Sequence, residues 1–453
     1  MQSEGMQKVK FGEKMAFGAA NFGNIPIMIT IGSFLLFFYT NVVGLDPAAV
    51  AILFLVSRLF DAFSDPFMGY FIDRLPRTKM GRFRTYLLIG VVICCINFVL
   101  LWFGPLWVPA GKLVVAYITY ILIGVTFSLM DIPLNSLIPV MTDDQKERGS
   151  LGAIRGLFQM IGAMVITMAA PVLLASVDNQ VTAFYILIFT VAAVILVFSM
   201  IGVLGVKERI MPSKHHKRYA LKDVLTFIKS KPILITFLAT VLFGIATTAA
   251  SASNIFFFIY VMDGMLAEMG LVGLVSMVGL LPAIAVSGKL ARKYGKKKIF
   301  ALGLLINALT TLIRLVAVTN FPLILITSAI SGIGTGFFTA ILPSIQADNV
   351  DYIDYEHKYR AEGAIASLNS FAVKTGQAVG GALPGFILAI VGFVPHAVQT
   401  DFATMGIIFS TIVVPAIIML SAAFVFGLAY KISAEKMTEI TQTLRERRSA
   451  EAE

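Results

Sequence analysis

The chain has 453 residues, 58% of them hydrophobic and 14% charged, with a net charge of +10. Soluble domains carry about 25% charged residues, so this composition excludes an ordinary water-soluble globule and describes a polytopic membrane protein. The basic balance does not mark a nucleic-acid binder either: Lys and Arg lack interleaved aromatics and sit in short segments beside apolar runs.

Residues 1–15 are polar, with Lys8, Lys10 and Lys14, and lead into an apolar run without a cleavage site, which predicts an uncleaved first span. Runs of about 20 apolar residues predict twelve transmembrane helices, centred near residues 30, 60, 94, 125, 163, 192, 243, 277, 307, 334, 376 and 417. The first and eleventh are interrupted by Asn21, Asn24 and Pro26 and by Lys374, Gln377 and Pro384, as expected of spans that line a cavity.

The second span holds Arg58, Asp61 and Asp65, whose spacing puts all three on one helix face. Each charge at the bilayer centre costs roughly 2.5 to 3.5 kcal/mol. Two acids and one base leave one negative charge, which one proton or one monovalent cation would neutralise. Further along, Cys94 and Cys95 are adjacent in one apolar run and offer no disulfide framework. In the fourth span Asp131 precedes Ile132-Pro133, and the proline frees a mid-helix carbonyl that could face a cavity. Asp131 reads either as a structural partner of Arg155 or Lys374, or as a bidentate acceptor for neighbouring hydroxyls. The two roles are compatible.

Arg314 precedes Asn320-Phe321-Pro322 at the outer end of the ninth span and reads as snorkelling to the interface. Lys374 lies fourteen residues past Arg360, about 20 Å of helix, and is expected deep in the eleventh span as a counter-charge. After Tyr430, a basic tail predicts an amphipathic surface helix followed by disorder.

Basic residues sort between alternate loops. Arg74, Arg77, Lys79, Arg82 and Arg84 follow the second span, and Arg292, Lys293, Lys296, Lys297 and Lys298 follow the eighth, while the segments around Leu45, Val177, Gly264, Asn320 and His396 have none. This predicts cytoplasmic termini. The polar stretch 206–231 divides an N-terminal six-helix bundle (1–205) from a C-terminal one (232–431), with a cytoplasmic tail at 432–453. Internal echoes support a duplication: Gly69 to Arg82 resembles Gly288 to Lys296, and Leu137-Ile138-Pro139 resembles Ile341-Leu342-Pro343. Charged clusters follow in both halves, Asp143 to Arg148 and Asp348 to Arg360. They read as solvated faces or as an inner gate of ion pairs, with Asp351, Asp354, Arg360 and Arg148 as its members. His215, His216, His357 and His396 fall in expected loops, and no metalloprotease, nucleophile-elbow or nucleotide-binding motif occurs, so an enzyme is not expected.

FYTNVVGL (38–45), RLFDAFSDPFMGYFIDR (58–74), MGRFR (80–84), MDIPLNSLIP (130–139), ADNVDYIDYEHKYR (347–360) and VGFVP (391–395) resemble the glycoside-pentoside-hexuronide:cation symporters, the melibiose-permease family of the major facilitator superfamily. The resemblance runs from about Phe11 to Tyr430. It implies an all-α membrane protein of two pseudo-symmetric six-helix bundles, a sugar or glycoside substrate, coupling to H⁺, Na⁺ or Li⁺, no cofactor, a monomer, and a bacterial inner membrane. It also implies a cation site at Asp61 and Asp65, with Ser64, Ser128 and Asp131, charge balance from Arg58 and Lys374, and sugar contacts from Asp131, Arg155 and Lys374. Asn24 and Ile25 stand where the α-galactoside branch has a Lys-Asp pair, and Asn135 replaces its stacking aromatic, so the substrate contacts expected of Asn24 and Asn135 are polar. Ser64 replaces an asparagine common in Na⁺-using relatives, which gives H⁺ weight as the coupling ion. A uniporter and a non-transporting sensor on the same fold stay open as alternatives.

Overall fold

A computed structural model describes residues 9–74, 76, 78–209, 230–357, 362–432 and 434–450, and among these the chain is helical with no strand. In order the helices are α1 (Phe11–Phe37), α2 (Pro47–Arg74), α3 (Phe83–Trp107), α4 (Lys112–Met141), α5 (Gln145–Ala175) and α6 (Gln180–Gly205), then α7 (Lys231–Tyr260), α8 (Leu266–Tyr294), α9 (Lys296–Ile313), α10 (Phe321–His357), α11 (Glu362–Ile390), α12 (Asp401–Ala429) and α13 (Ala434–Ala450). Eleven helices are long and apolar enough to cross a membrane. The second span, α2, carries Arg58, Asp61 and Asp65 within its apolar sequence, and Asp73 and Arg74 at its end. Its 28 residues are nonetheless about 42 Å of helix, more than the hydrocarbon thickness of about 30 Å.

The chain packs as two units, one of Met1–His216 with Met265–Gly270 and Leu388–Val398, the other of Lys217–Gly264, Leu271–Ile387 and Gln399–Glu453. In the first, α1 is buried along most of its length and runs into a wider π turn at Phe38–Val42. There Phe38 meets Trp102 of α3 edge-on at 5.1 Å, and Trp102 stacks on Phe184 of α6 at 5.6 Å. Each ring's apolar bulk seals the bundle near one end of α1. At the other end a buried Glu13 takes Arg209, just beyond α6, in a 2.6 Å ion pair. The outlying stretch Leu388–Val398 joins this unit through His396, whose Nε2 lies 2.6 Å from the Asn41 carbonyl oxygen.

In the second unit, Phe243 of α7 stacks on Phe338 of α10 at 3.6 Å, and Phe300 of α9 packs on Phe426 of α12 at 4.3 Å. The duplication is visible in one polar device. Asn97 of α3 donates to the Thr119 carbonyl of α4 at 3.0 Å, and Asn307 of α9 accepts from Ser331 of α10 at 2.6 Å. Both amides are buried, and each bridges the third and fourth helices of its half.

Two expectations are corrected. α10 continues to His357, so that histidine lies on a helix and not in a loop, the same helix that carries the acids from Asp348 to Glu356. The tail forms the expected helix to Ala450: Ile440 and Leu444 are buried and α13 packs on α10, because Met437, Ile440 and Leu444 recur at helical spacing. Finally, Arg314 does not snorkel. Its guanidinium turns inward and donates to Thr327 Oγ1 at 3.0 Å and Ser328 Oγ at 2.8 Å on α10, two buried hydroxyls thirteen and fourteen residues on.

Candidate functional site

The polar residues of the first unit gather along one stripe of α4. Tyr120, Gly124, Ser128, Asp131 and Asn135 recur at steps of three or four, which places them on one face. Asp131 is the centre of its lower part. Asn24 of α1 donates its amide to Asp131 Oδ1 at 2.6 Å, and Asn135 donates to Oδ2 at 2.7 Å. Arg155 of α5 is close enough to act on the same charge. A carboxylate accepts several hydrogen bonds at once, so both oxygens are fixed in place without being used up. Among the described residues the buried amide oxygens of Asn24 and Asn135 receive no hydrogen bond, and leaving such acceptors unmet is costly.

The upper part of the stripe receives α2. Asp61 is 6% exposed and accepts from Arg58 Nη1 at 3.0 Å. The phenol of Tyr120, itself stacked on Phe54 at 5.1 Å, lies close to Arg58 on the α4 side. Next to them Gly124 makes room for the acid, because a Cβ at that position would displace the Asp61 carboxylate. Gly124 and Asp131 are seven residues apart on α4, about 10 Å, with the buried Ser128 between them. Thus the acid–guanidinium pair of α2 and the amide-clamped acid of α4 lie against one helix about two turns apart.

Several predicted members lie elsewhere. The side chains of Ser64 and Asp65 lie outside the described residues, as does Arg360. Lys374 is half-buried near the middle of α11 in the second unit, and its height is set by α7: a Cβ on Gly376 would come within 2.8 Å of the Val241 carbonyl oxygen, and one on Gly244 within 3.1 Å of Gly376 Cα. Asp351 and Asp354 are half-buried on α10. Of the cluster Asp143 to Arg148, Glu147 pairs with Lys14 at 2.8 Å, and Arg148 donates to the Thr142 carbonyl at 2.9 Å, closing the end of α4. Asp348 is held by Lys296 at 2.7 Å. These charges are engaged within their own units. The carbonyl freed by Pro133 is that of Leu129, and it lies against Gly90 of α3, where a Cβ would approach it to 2.6 Å. It is packed between helices and not offered to a ligand.

Sequence reasoning missed Tyr120 and Gly124. Neither is charged, and the signal that could have found them was the stripe itself, read backwards from Asp131 in helical steps.

A family model described as MFS/sugar transport protein matches residues 16–434. The chain is 32% identical over 429 residues to the glucuronide carrier protein homolog of Escherichia coli (strain K12), with 92% of each chain covered. It is 30% identical over 443 residues to the isoprimeverose transporter of Lactiplantibacillus pentosus, covering 96% of this chain and 92% of the other. Among solved structures, a bacterial homologue of the human lysosomal transporter Spinster aligns with a TM-score of 0.68 over 95% of this chain and 97% of that one, at 13% identity, a likeness of fold.

Proposed function

This chain belongs to the MFS sugar-transport family, among the melibiose-permease-like symporters, and on that premise we propose that it carries a sugar or glycoside into the cell by symport with H⁺ or Na⁺. It is a transporter and not an enzyme. The observation that carries the reading is the α4 stripe, which joins a buried Arg58–Asp61 pair to a carboxylate clamped by two amides. Arriving cations compete with Arg58 for the acids of α2, and their charge cancels the one excess negative charge there, lowering the cost of an occluded state. Because α4 is shared, a shift of Asp61 against Gly124 is felt at Asp131, and reciprocal coupling of ion and sugar affinity follows. Asp131 and the two unmet amide oxygens act together as acceptors for sugar hydroxyls, the polar recognition that replaces a stacking ring at Asn135. The two halves rock alternately about this site. The setting proposed is the bacterial inner membrane, with cytoplasmic termini, a monomer, and an inner gate that includes Asp351, Asp354, Arg360 and Arg148.

Proteoliposomes holding an imposed Na⁺ or pH gradient test the reading against a panel of labelled glycosides. Accumulation above equilibrium is expected with one of the two gradients. Equilibration that ignores both gradients would make the protein a uniporter, and absence of counterflow with every glycoside that binds would make it a sensor. In the same assay Gly124→Ala is expected to raise the cation concentration for half-maximal uptake roughly ten- to a hundredfold, the usual effect of disturbing an outer partner of an ion ligand. An unchanged cation dependence would remove Gly124 from the site.

A further inference from the structure

In the second unit, α8 ends at Tyr294 and α9 begins at Lys296, with Gly295 alone between them at φ +90°. Side chains rarely adopt that conformation, and glycine does so freely. The reversal brings the last turn of one apolar span beside the first turn of the next, so a bilayer surface lies at this level. Five of the seven residues 292–298 are Lys or Arg.

On a flat loop such a run would be solvated charge. Here it borders a cavity of about 1100 Å³, walled also by α10 and by the α13 face that carries Met437 and Thr441. The floor is apolar, with Ile341, Ile345 and Ile432 at 3%, 1% and 7% exposure. Two acids line the cavity, Asp348 and Glu435. Both oxygens of Asp348 are held by Lys296 Nζ, at 2.7 and 2.8 Å, which leaves four other cations and one other acid, Glu435, in the lining. Among the described residues no carboxylate pairs with Arg292, Lys297 or Lys298. The first turn of α9 receives no side-chain cap at Gly295, so its backbone N–H groups and the positive end of the helix add to the same field.

We propose that this cavity binds a phosphate-bearing anion, supplied by the headgroup of an anionic phospholipid, with α13 as its outer wall. Phosphate oxygens match the Arg292 fork and the point charges of Lys297 and Lys298, and the isoleucine floor takes the glycerol and first methylenes. The site is separate from the α4 stripe, which lies in the other unit.

The test uses the purified full-length protein in neutral detergent, with phosphatidylglycerol or phosphatidylcholine added in mixed micelles and glycerol 3-phosphate added free. Thermal shift and native mass spectrometry read binding. Phosphatidylglycerol is expected to raise the melting temperature and phosphatidylcholine is not. The variant R292Q/K297Q/K298Q should bind the anionic lipid on the order of a hundredfold more weakly, from roughly fivefold per charge removed near a membrane surface. A control that removes three exposed charges of the first unit, K79Q/K146Q/K207Q, should bind as the parent does. If glycerol 3-phosphate protects as well as the lipid and the triple variant abolishes that protection, the phosphate chemistry stands and its source is soluble. Equal protection by phosphatidylcholine, or equal weakening in the control, would overturn the proposal. Should the triple variant fail to fold, K297Q alone carries the test, with a loss of roughly fivefold supporting the site and an unchanged affinity refuting it.

Discussion

Asp131→Asn is expected to weaken sugar binding roughly 10²- to 10⁴-fold, with little change in melting temperature. Two charge-assisted hydrogen bonds to sugar hydroxyls, at about 1.5 to 3 kcal/mol each, give that range. The substitution is nearly isosteric, yet the clamp cannot accept it unchanged. Both oxygens of Asp131 receive amide N–H donors, and an asparagine there would point one NH₂ at another. Asn24 or Asn135 would have to flip, which turns away an oxygen that has no partner among the described residues. The loss should therefore exceed that of one charge alone. Calorimetry on a glycoside that binds the parent protein measures it, and parent-like affinity in the variant would remove Asp131 from the substrate site.

Asp61→Asn should abolish gradient-driven accumulation while leaving counterflow exchange in place. Its second effect is on stability. Arg58 loses the Asp61 carboxylate inside the bundle, and breaking a buried pair from one side costs about 3 to 5 kcal/mol. Removing both charges in Arg58→Met/Asp61→Asn should recover much of that stability and none of the coupling. Melting curves and vesicle uptake read the two outcomes separately. Accumulation by Asp61→Asn at the parental level would show that the coupling ion binds elsewhere.

The helical class, the duplication and the acids of α2 were legible in the sequence because charge inside an apolar run is conspicuous. The partners of those charges were not. Asp131 read either as the mate of Arg155 or Lys374 or as an acceptor for hydroxyls, and neither reading named the two neutral amides that hold it, one of them on α1 and so invisible without the packing of α1 on α4. Arg314 read as an interfacial cation because the hydroxyls that satisfy it lie across a helical hairpin. His357 read as loop because it follows a run of charge, although Val350 and Ile353 within that run are buried and keep α10 helical. Local pattern gave the elements, and contacts between helices decided which polar atoms meet.

The docking of α13 has a practical side for anyone producing this protein. The chain does not finish folding where its last span stops, since Ile440 and Leu444 are buried after it. A fluorescent reporter or affinity handle fused at Tyr430 would strip those residues away and favour aggregation during expression. Joined after Ala450, the same fusion leaves the seam closed.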